Sequence, residues 1–227
     1  MNEKQLAGCI DHTLLAATVT REQIEQLCEE ALEFGFHTVC VNSRWLPVVS
    51  DKLRGSRVKV GGVVSLPLGA DSTKIKVIQA KETIFAGADE IDMVADLAAI
   101  IESDSKYLLN QLQAVLKVCR SMRPVVCFKV IIESAALNYE QKVFACQISR
   151  QAGVDFIKTS TGMHPAGGAT VEDIKLIKQT APNCRVKASC GIKTAGQAMK
   201  MLEAGAERIG TSSAVKIINE FRMGRLQ

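Results

Sequence analysis

Aromatic residues are scarce in this chain, at 4% of its 227 residues, so aliphatic side chains have to fill the core. No uninterrupted apolar run approaches the roughly 18 residues that a membrane-spanning helix requires, and Met1-Asn2-Glu3-Lys4-Gln5 does not open a secretory signal peptide. That pattern argues against a membrane partner and makes a cytoplasmic location the expectation. A linker rich in glycine, serine or proline is missing too, so residues 1–227 read as a single domain. The eight cysteines include no Cys-x-x-Cys pair, and His12, His37 and His164 lack metal-ligand spacing. Neither a metal nor another cofactor is expected, and the thiols read as reduced and mostly core. Nor does charge of one sign dominate: the net charge is +4, with lysines and arginines interspersed among acids. No basic stripe offers itself to nucleic acid, although a mild positive excess suits a small anionic substrate.

What the chain does contain, at 47% hydrophobic and 23% charged residues, is ordinary soluble composition with internal repetition. Four times a helical pattern ends on a glycine followed by a β-type run, at Gly35, Gly87, Gly153 and Gly205. Glycine suits the left-handed residue just past a helix, so each marks a helix-to-strand passage. Filling in between gives eight candidate strands, about Cys9 to Leu14, Thr38 to Asn42, Val58 to Ser65, Glu90 to Val94, Val125 to Glu133, Asp155 to Thr159, Arg185 to Ser189 and Arg208 to Thr211. Helix-like sequence follows each, over Thr20–Phe34, Arg44–Leu53, Ser72–Ala86, Asp104–Ser121, Tyr139–Ala152, Val171–Gln179, Thr194–Ala204 and Ser213–Phe221. Eight βα units in this length predict an α/β fold, a closed (β/α)8 TIM barrel. A doubly wound open sheet is the alternative, but no Gly-x-Gly-x-x-Gly turn follows an early strand.

In such a barrel, chemistry sits where strands end in βα loops, on inward side chains that alternate along each strand. Lys158 stands out first, a lysine in an apolar run that ends in a hydroxyl-rich turn with Thr159 and Ser160. Lysine is seldom buried, and one held in a desolvated pocket or beside another cation becomes a nucleophile toward carbonyls. The plainer alternative is a strand-end lysine that snorkels to water. Lys187 on the next strand occupies a matching position, about 5 Å away across the sheet, so each ammonium is expected to disfavour the other. Asp92, Lys129, Glu133, Asp11 and Thr13 bring further polar groups to strand positions. Isolated buried charges are costly, so these groups are expected to satisfy one another across the barrel mouth. Cys40 ends the second strand and reads as pocket wall. Two loops, Ser189-Cys190-Gly191-Ile192-Lys193 and Gly210-Thr211-Ser212-Ser213, each lead into a helix N-terminus and suit a phosphate; tight turns of small residues are the alternative.

With these residues set out, the chain resembles the deoxyribose-phosphate aldolase family over nearly its whole length. The likeness is carried in order by Ile10-Asp11-His12-Thr13-Leu14-Leu15, Val39-Cys40-Val41-Asn42, Pro67-Leu68-Gly69-Ala70, Glu90-Ile91-Asp92-Met93-Val94, Lys129-Val130-Ile131-Ile132-Glu133, Phe156-Ile157-Lys158-Thr159-Ser160-Thr161-Gly162 and Gly210-Thr211-Ser212-Ser213. The resemblance implies a metal-free class I aldolase of deoxyribose phosphate breakdown, reversibly cleaving 2-deoxy-D-ribose 5-phosphate to D-glyceraldehyde 3-phosphate and acetaldehyde. It assigns Lys158 as the Schiff-base lysine, Lys187 as the neighbour that keeps it nucleophilic, and Asp92 as the carboxylate that works with Lys187 in proton transfer. Substrate and phosphate contacts are expected from Gly191, Lys193, Gly210, Ser212, Ser213, Asp11, Thr13, Cys40 and Thr159. Barrels of this kind commonly pair, so a homo-oligomer, dimer or higher, accompanies the expectation.

The chain also departs from that family's pattern. Cys190 and Lys193 stand where many members have glycine and arginine, and Ala214 stands where glycine is usual. Val64-Ser65-Leu66-Pro67 replaces a Gly-Phe-Pro turn, and Ala95-Asp96-Leu97-Ala98 replaces an Asn-x-Gly pattern. Two other functions stay open on those grounds: a class I or transaldolase-like enzyme for a different sugar or phosphosugar, and a catalytically idle barrel retained for binding.

Overall fold

Local sequence choices set the rhythm of the chain in the computed structural model, which describes residues 1–224. A first short helix, Glu3–Ala7 (α1), leads into strand Ile10–Leu14 (β1), and Thr20 then caps Arg21–Phe34 (α2) through a reciprocal box with Gln23. Gly35 stops α2 in the left-handed region, φ 69°, and delivers the chain to Thr38–Val41 (β2). Leu46–Lys52 (α3), Lys59–Val64 (β3), Thr73–Phe85 (α4) and Glu90–Val94 (β4) follow. After β4 come Leu97–Ile101 (α5), Ser105–Ser121 (α6), Cys127–Ile131 (β5), Tyr139–Ala152 (α7) and Phe156–Lys158 (β6). Val171–Thr180 (α8), Arg185–Ser189 (β7), Ala195–Glu203 (α9), Arg208–Thr211 (β8) and Ala214–Met223 (α10) complete the order. The eight strands are parallel, pair in sequence order and close β8 onto β1, giving the single (β/α)8 barrel that the repetition predicts.

Two helices were not anticipated. Both α1 and α5 have five residues, too few to show a helical period. In α5 the unusual Ala95-Asp96-Leu97-Ala98 has a local cause: the Asp96 carboxylate caps the helix by accepting from Ala99 N–H at 3.0 Å. Strand β5 is shorter than the expected Val125 to Glu133, because the chain leaves Pro124 late and Glu133 turns out of the sheet at φ 51°.

Strand alternation divides the strands into two environments. Ile91 and Met93, Phe128 and Val130, Ile157, Val186, Ala188 and Ile209 are buried in the aliphatic layer against the helices. The opposite parity points into the barrel, where a packed ring of branched apolar residues would be usual. Here that parity carries Asp11, Glu90, Asp92, Lys129, Lys158, Lys187 and Arg208, all buried.

Candidate active site

Parity and register bring these charges together. Asp92 pairs in register with Lys129 across β4 and β5, and Lys158 with Lys187 across β6 and β7. Asp92 is the hub: Oδ1 accepts from Lys129 Nζ at 2.8 Å, while Oδ2 accepts from Lys158 Nζ at 2.9 Å and from Lys187 Nζ at 2.7 Å. Lys187 also meets Asp11 Oδ2 at 2.5 Å, and Lys129 meets Glu90 Oε2 at 2.6 Å. Nearer the strand N-termini, Arg208 Nη2 donates to both Glu90 oxygens at 2.8 Å and Nη1 lies 3.3 Å from Asp11 Oδ1. Gly210 makes room for this packing, since a Cβ there would come within 2.9 Å of Lys187 Cε.

The electrostatics follow from this alternation of sign. Burial opposes the charge on Asp92, but Lys129, Lys158 and Lys187 outweigh it and hold its carboxyl well below the usual range. Burial likewise opposes the charge on Lys187, yet Asp11 and Asp92 reverse the effect and raise its pKa, so Lys187 stays an ammonium. Lys129 is held above its ordinary value in the same way, against burial, by Asp92, Glu90 and Asp11. The expected mutual repulsion of Lys158 and Lys187 is therefore mediated through a shared carboxylate oxygen.

The ion contacts of this layer join four cations, Lys129, Lys158, Lys187 and Arg208, to three carboxylates, Asp11, Glu90 and Asp92. A buried layer with an unmatched charge is costly. Arginine cannot shed its proton, Lys129 approaches three carboxylates and Lys187 two. Lys158 has one, which it shares. It is also the member of the set that lines the open cavity. Lys158 is thus the cation with the fewest carboxylate partners, at the point where a carbonyl can approach.

The cavity, about 620 Å³, opens at the C-terminal ends of the strands. Of the residues expected at the site, Lys158, Thr13, Gly191, Lys193, Gly210 and Ser212 line it, together with Cys190, Thr161 and Met163. Asp92, bonded to Lys158, and Lys187, its register partner on β7, do not line it. Asp11 and Cys40, expected as substrate contacts, sit deeper: Asp11 belongs to the ion layer, and Cys40 is buried with its thiol pKa raised by burial. Thr159 faces β7, where its hydroxyl accepts from Ser189 N–H at 3.1 Å, and Ser213 N–H donates to Thr211 Oγ1 at 2.9 Å. None of these four borders the cavity.

The two expected phosphate loops differ. At the N-terminus of α9, Gln197 Oε1 accepts from Lys193 and Thr194 N–H and Thr194 Oγ1 accepts from Gln197 N–H. Those donors are spent within the helix. The N-terminus of α10 has no side-chain cap, and Gly210, Thr211 and Ser212 lead to it along the cavity wall, so its backbone donors and dipole remain for an anion. Cys190 adopts φ 72°, and Gly191 φ 80°. Ala169 N–H reaches Ser189 O at 3.1 Å and Cys190 O at 3.3 Å, tying the loop after β6 to the loop after β7.

Sequence reasoning named Lys129 and Glu133 without assigning them a part, and missed Glu90 and Arg208. The signal existed in parity: Glu90 shares a face with Asp92, and Arg208 with Gly210. Glu133 receives Thr161 N–H at 3.2 Å on both carboxylate oxygens, which holds the start of the loop that follows Lys158.

Known proteins give the context for this geometry. A family model described as DeoC/LacD family aldolase matches residues 6–220. The chain is 47% identical over 221 residues to the deoxyribose-phosphate aldolase of Thermococcus kodakarensis, covering 96% of this chain and 97% of that one. It is 44% identical over 220 residues to the deoxyribose-phosphate aldolase of Dictyoglomus turgidum, covering 96% and 98%. The tetrameric deoxyribose phosphate aldolase of Aeropyrum pernix superposes with a TM-score of 0.90 at 30% identity, over 97% of this chain and 92% of that one.

Proposed function

This chain belongs to the DeoC/LacD family of aldolases, and on that premise we propose that it is a deoxyribose-phosphate aldolase working through Lys158. The carrying observation is a lysine at the floor of an open cavity, 2.9 Å from a carboxylate oxygen shared with a second ammonium, in a layer with one cation too many. In the proposed reaction the free amine of Lys158 adds to the C1 aldehyde of 2-deoxy-D-ribose 5-phosphate, and loss of water gives a protonated imine. A base takes the proton from the C3 hydroxyl. The electron pair of the C2–C3 bond moves into the imine, leaving an enamine on Lys158 and releasing D-glyceraldehyde 3-phosphate. Protonation at C2 and hydrolysis then free acetaldehyde and restore the amine.

Asp92 and Lys187 are assigned the proton transfers, since Asp92 Oδ2 contacts both amines and its carboxylate form is secured by three lysines. The α10 N-terminus, with Gly210, Ser212 and the ammonium of Lys193, is assigned the 5-phosphate. Ser213, whose N–H is taken by Thr211 Oγ1, shapes the turn into that helix, while Asp11, Cys40 and Thr159 support the wall from behind. The substrate is accordingly a small phosphorylated sugar or aldehyde, and assembly as a homo-oligomer follows the tetrameric relative.

Borohydride reduction in the presence of substrate tests this: a stable mass increment is expected on the Lys158 peptide. Inactivation with the increment elsewhere, or none, would reject the assignment. A second reading, a class I aldolase for an unphosphorylated or different sugar, is favoured by Cys190 and Lys193 in the loop after β7, across the cavity from the α10 N-terminus. Equal kcat/KM for phosphorylated and unphosphorylated deoxyribose would select it.

A further inference from the structure

The floor of the barrel holds a pair that the proposed chemistry does not use. Arg208 and Glu90 are 118 residues apart in sequence and bound by two 2.8 Å contacts, with Thr38 Oγ1 donating to Glu90 Oε2 at 3.2 Å. Neither touches the cavity. Each reaches upward by one further contact: Glu90 to Lys129, which binds Asp92, and Arg208 to Asp11, which binds Lys187. The upper links are uneven. Asp11 meets Lys187 and Arg208 as ion contacts without hydrogen-bond alignment, and Arg208 Nη1 likewise lacks a hydrogen-bond partner. Asp11 is therefore held by the charge of its neighbours rather than by directional bonds, and its neighbours feel any charge removed below it.

We infer that Glu90 and Arg208 are positioning residues of opposite effect, which together set the charge felt by the amine of Lys158, three contacts from Glu90 through Lys129 and Asp92 and four from Arg208 through Asp11, Lys187 and Asp92. The inference rests on the reading of Lys158 as the reacting amine. Within the layer, Glu90 supplies the third carboxylate and Arg208 the fourth cation. Removing Glu90's charge widens the cationic excess; removing Arg208's abolishes it. A merely structural pair would act in one direction, because loss of either partner breaks the same contact.

The surroundings allow this single variable to be read. Asp11 meets the pair from β1 and Lys129 from β5, and Asp92 of β4, Lys158 of β6 and Lys187 of β7 follow through those two. At the rim lie His37, 3.5 Å from Glu90 and half exposed, Arg185 stacked on Phe156, and the outward Lys59. The thiols of Cys9, Cys40 and Cys127 are raised by burial and stay neutral.

The test follows the pH dependence of Lys158 acetylation by trace acetic anhydride, read by peptide mass spectrometry, in the wild type, Glu90→Gln, Arg208→Gln and the double variant. Glu90→Gln is expected to move the onset of labelling to lower pH and Arg208→Gln to higher pH, each on the order of one pH unit. The double variant is expected to return to the wild-type onset, and because it leaves no lone charge it still decides the matter where a single variant does not fold. Shifts in the same direction, no shift in a folded variant, or a displaced double variant would overturn the inference. Acetylation needs no turnover, so failure of the aldolase reading appears separately, as absent borohydride labelling in the wild type.

Discussion

Two regions of this molecule bury lysine completely, and they do so by opposite means. In the barrel interior, Lys129, Lys158 and Lys187 lie among carboxylates below an open cavity. Between α4 and α6, Lys76 is equally buried, but its ammonium donates to neutral acceptors, Val94 O and Gln111 Oε1, both at 2.8 Å. Burial lowers the Lys76 pKa to about 8, with Asp96 and Asp71 opposing; in the barrel the carboxylates win and Lys187 moves up. By the usual search for a lysine of depressed pKa, Lys76 would be chosen. It does not border the cavity and ties the exit of β4 to α6. What distinguishes Lys158 here is access to a cavity and a place in a charge layer that holds more cations than carboxylates.

That contrast breaks most sharply at Lys158. Lys158→Ala is expected to lower retro-aldol kcat/KM on the order of 10⁴-fold or more and to abolish borohydride labelling. Retained activity would return Lys158 to a structural role. Asp92→Asn comes next, with a loss on the order of 10²- to 10³-fold and a stability loss of roughly 3 kcal/mol or more, because three lysines lose their common anion; urea denaturation beside steady-state kinetics separates the two effects.

Lys76→Met is expected to leave kcat within about twofold while costing roughly 1–3 kcal/mol, since Val94 O and Gln111 lose their donor. The pH dependence gives the sign. With a folded pKa of about 8 against an ordinary 10.5, the unfolded chain binds more protons between those values, so wild-type stability gains from Lys76 as pH rises through that window. The destabilisation by Lys76→Met is therefore larger at pH 10 than at pH 8, by about 2 kcal/mol at most. A constant difference would show that Lys76 has an ordinary pKa. The smallest effect belongs to Cys190→Gly, which relieves a non-glycine residue at φ 72° and is expected to stabilise the fold by up to about 1 kcal/mol. Calorimetry checks it, and a fall in KM for the phosphorylated substrate alone would connect the same residue to the anion loop.

The barrel was legible because its signals are local. Gly35, Gly87, Gly153 and Gly205 announce the passages into strands, and capping types such as Thr20 and Thr170 announce helices. Lys158, Lys187 and Asp92 were legible because charge inside an apolar run is conspicuous. Depth was not. Asp11 and Cys40 were expected at the mouth, yet they lie below it, because strand parity gives the face and not the level. Glu90 and Arg208 sit beside helix-ending turns, where charged residues are commonplace, and only closure of the barrel brings them together. Lys76 was hidden by its helix: Ile75, Ile78 and Phe85 of α4 are exposed, so the apolar pattern assigns the lysine to the wrong face.

The unequal count of charges in the barrel has a bearing on the direction of the proposed reaction. A protonated imine on Lys158 restores the fourth positive charge that the free amine had removed, now on an atom conjugated to the sugar. Electrons arriving from the breaking C2–C3 bond cancel it. The protein thereby disfavours the cationic intermediate relative to both neutral species that flank it, the amine and the enamine, and draws the bond pair toward the nitrogen without any group having to move.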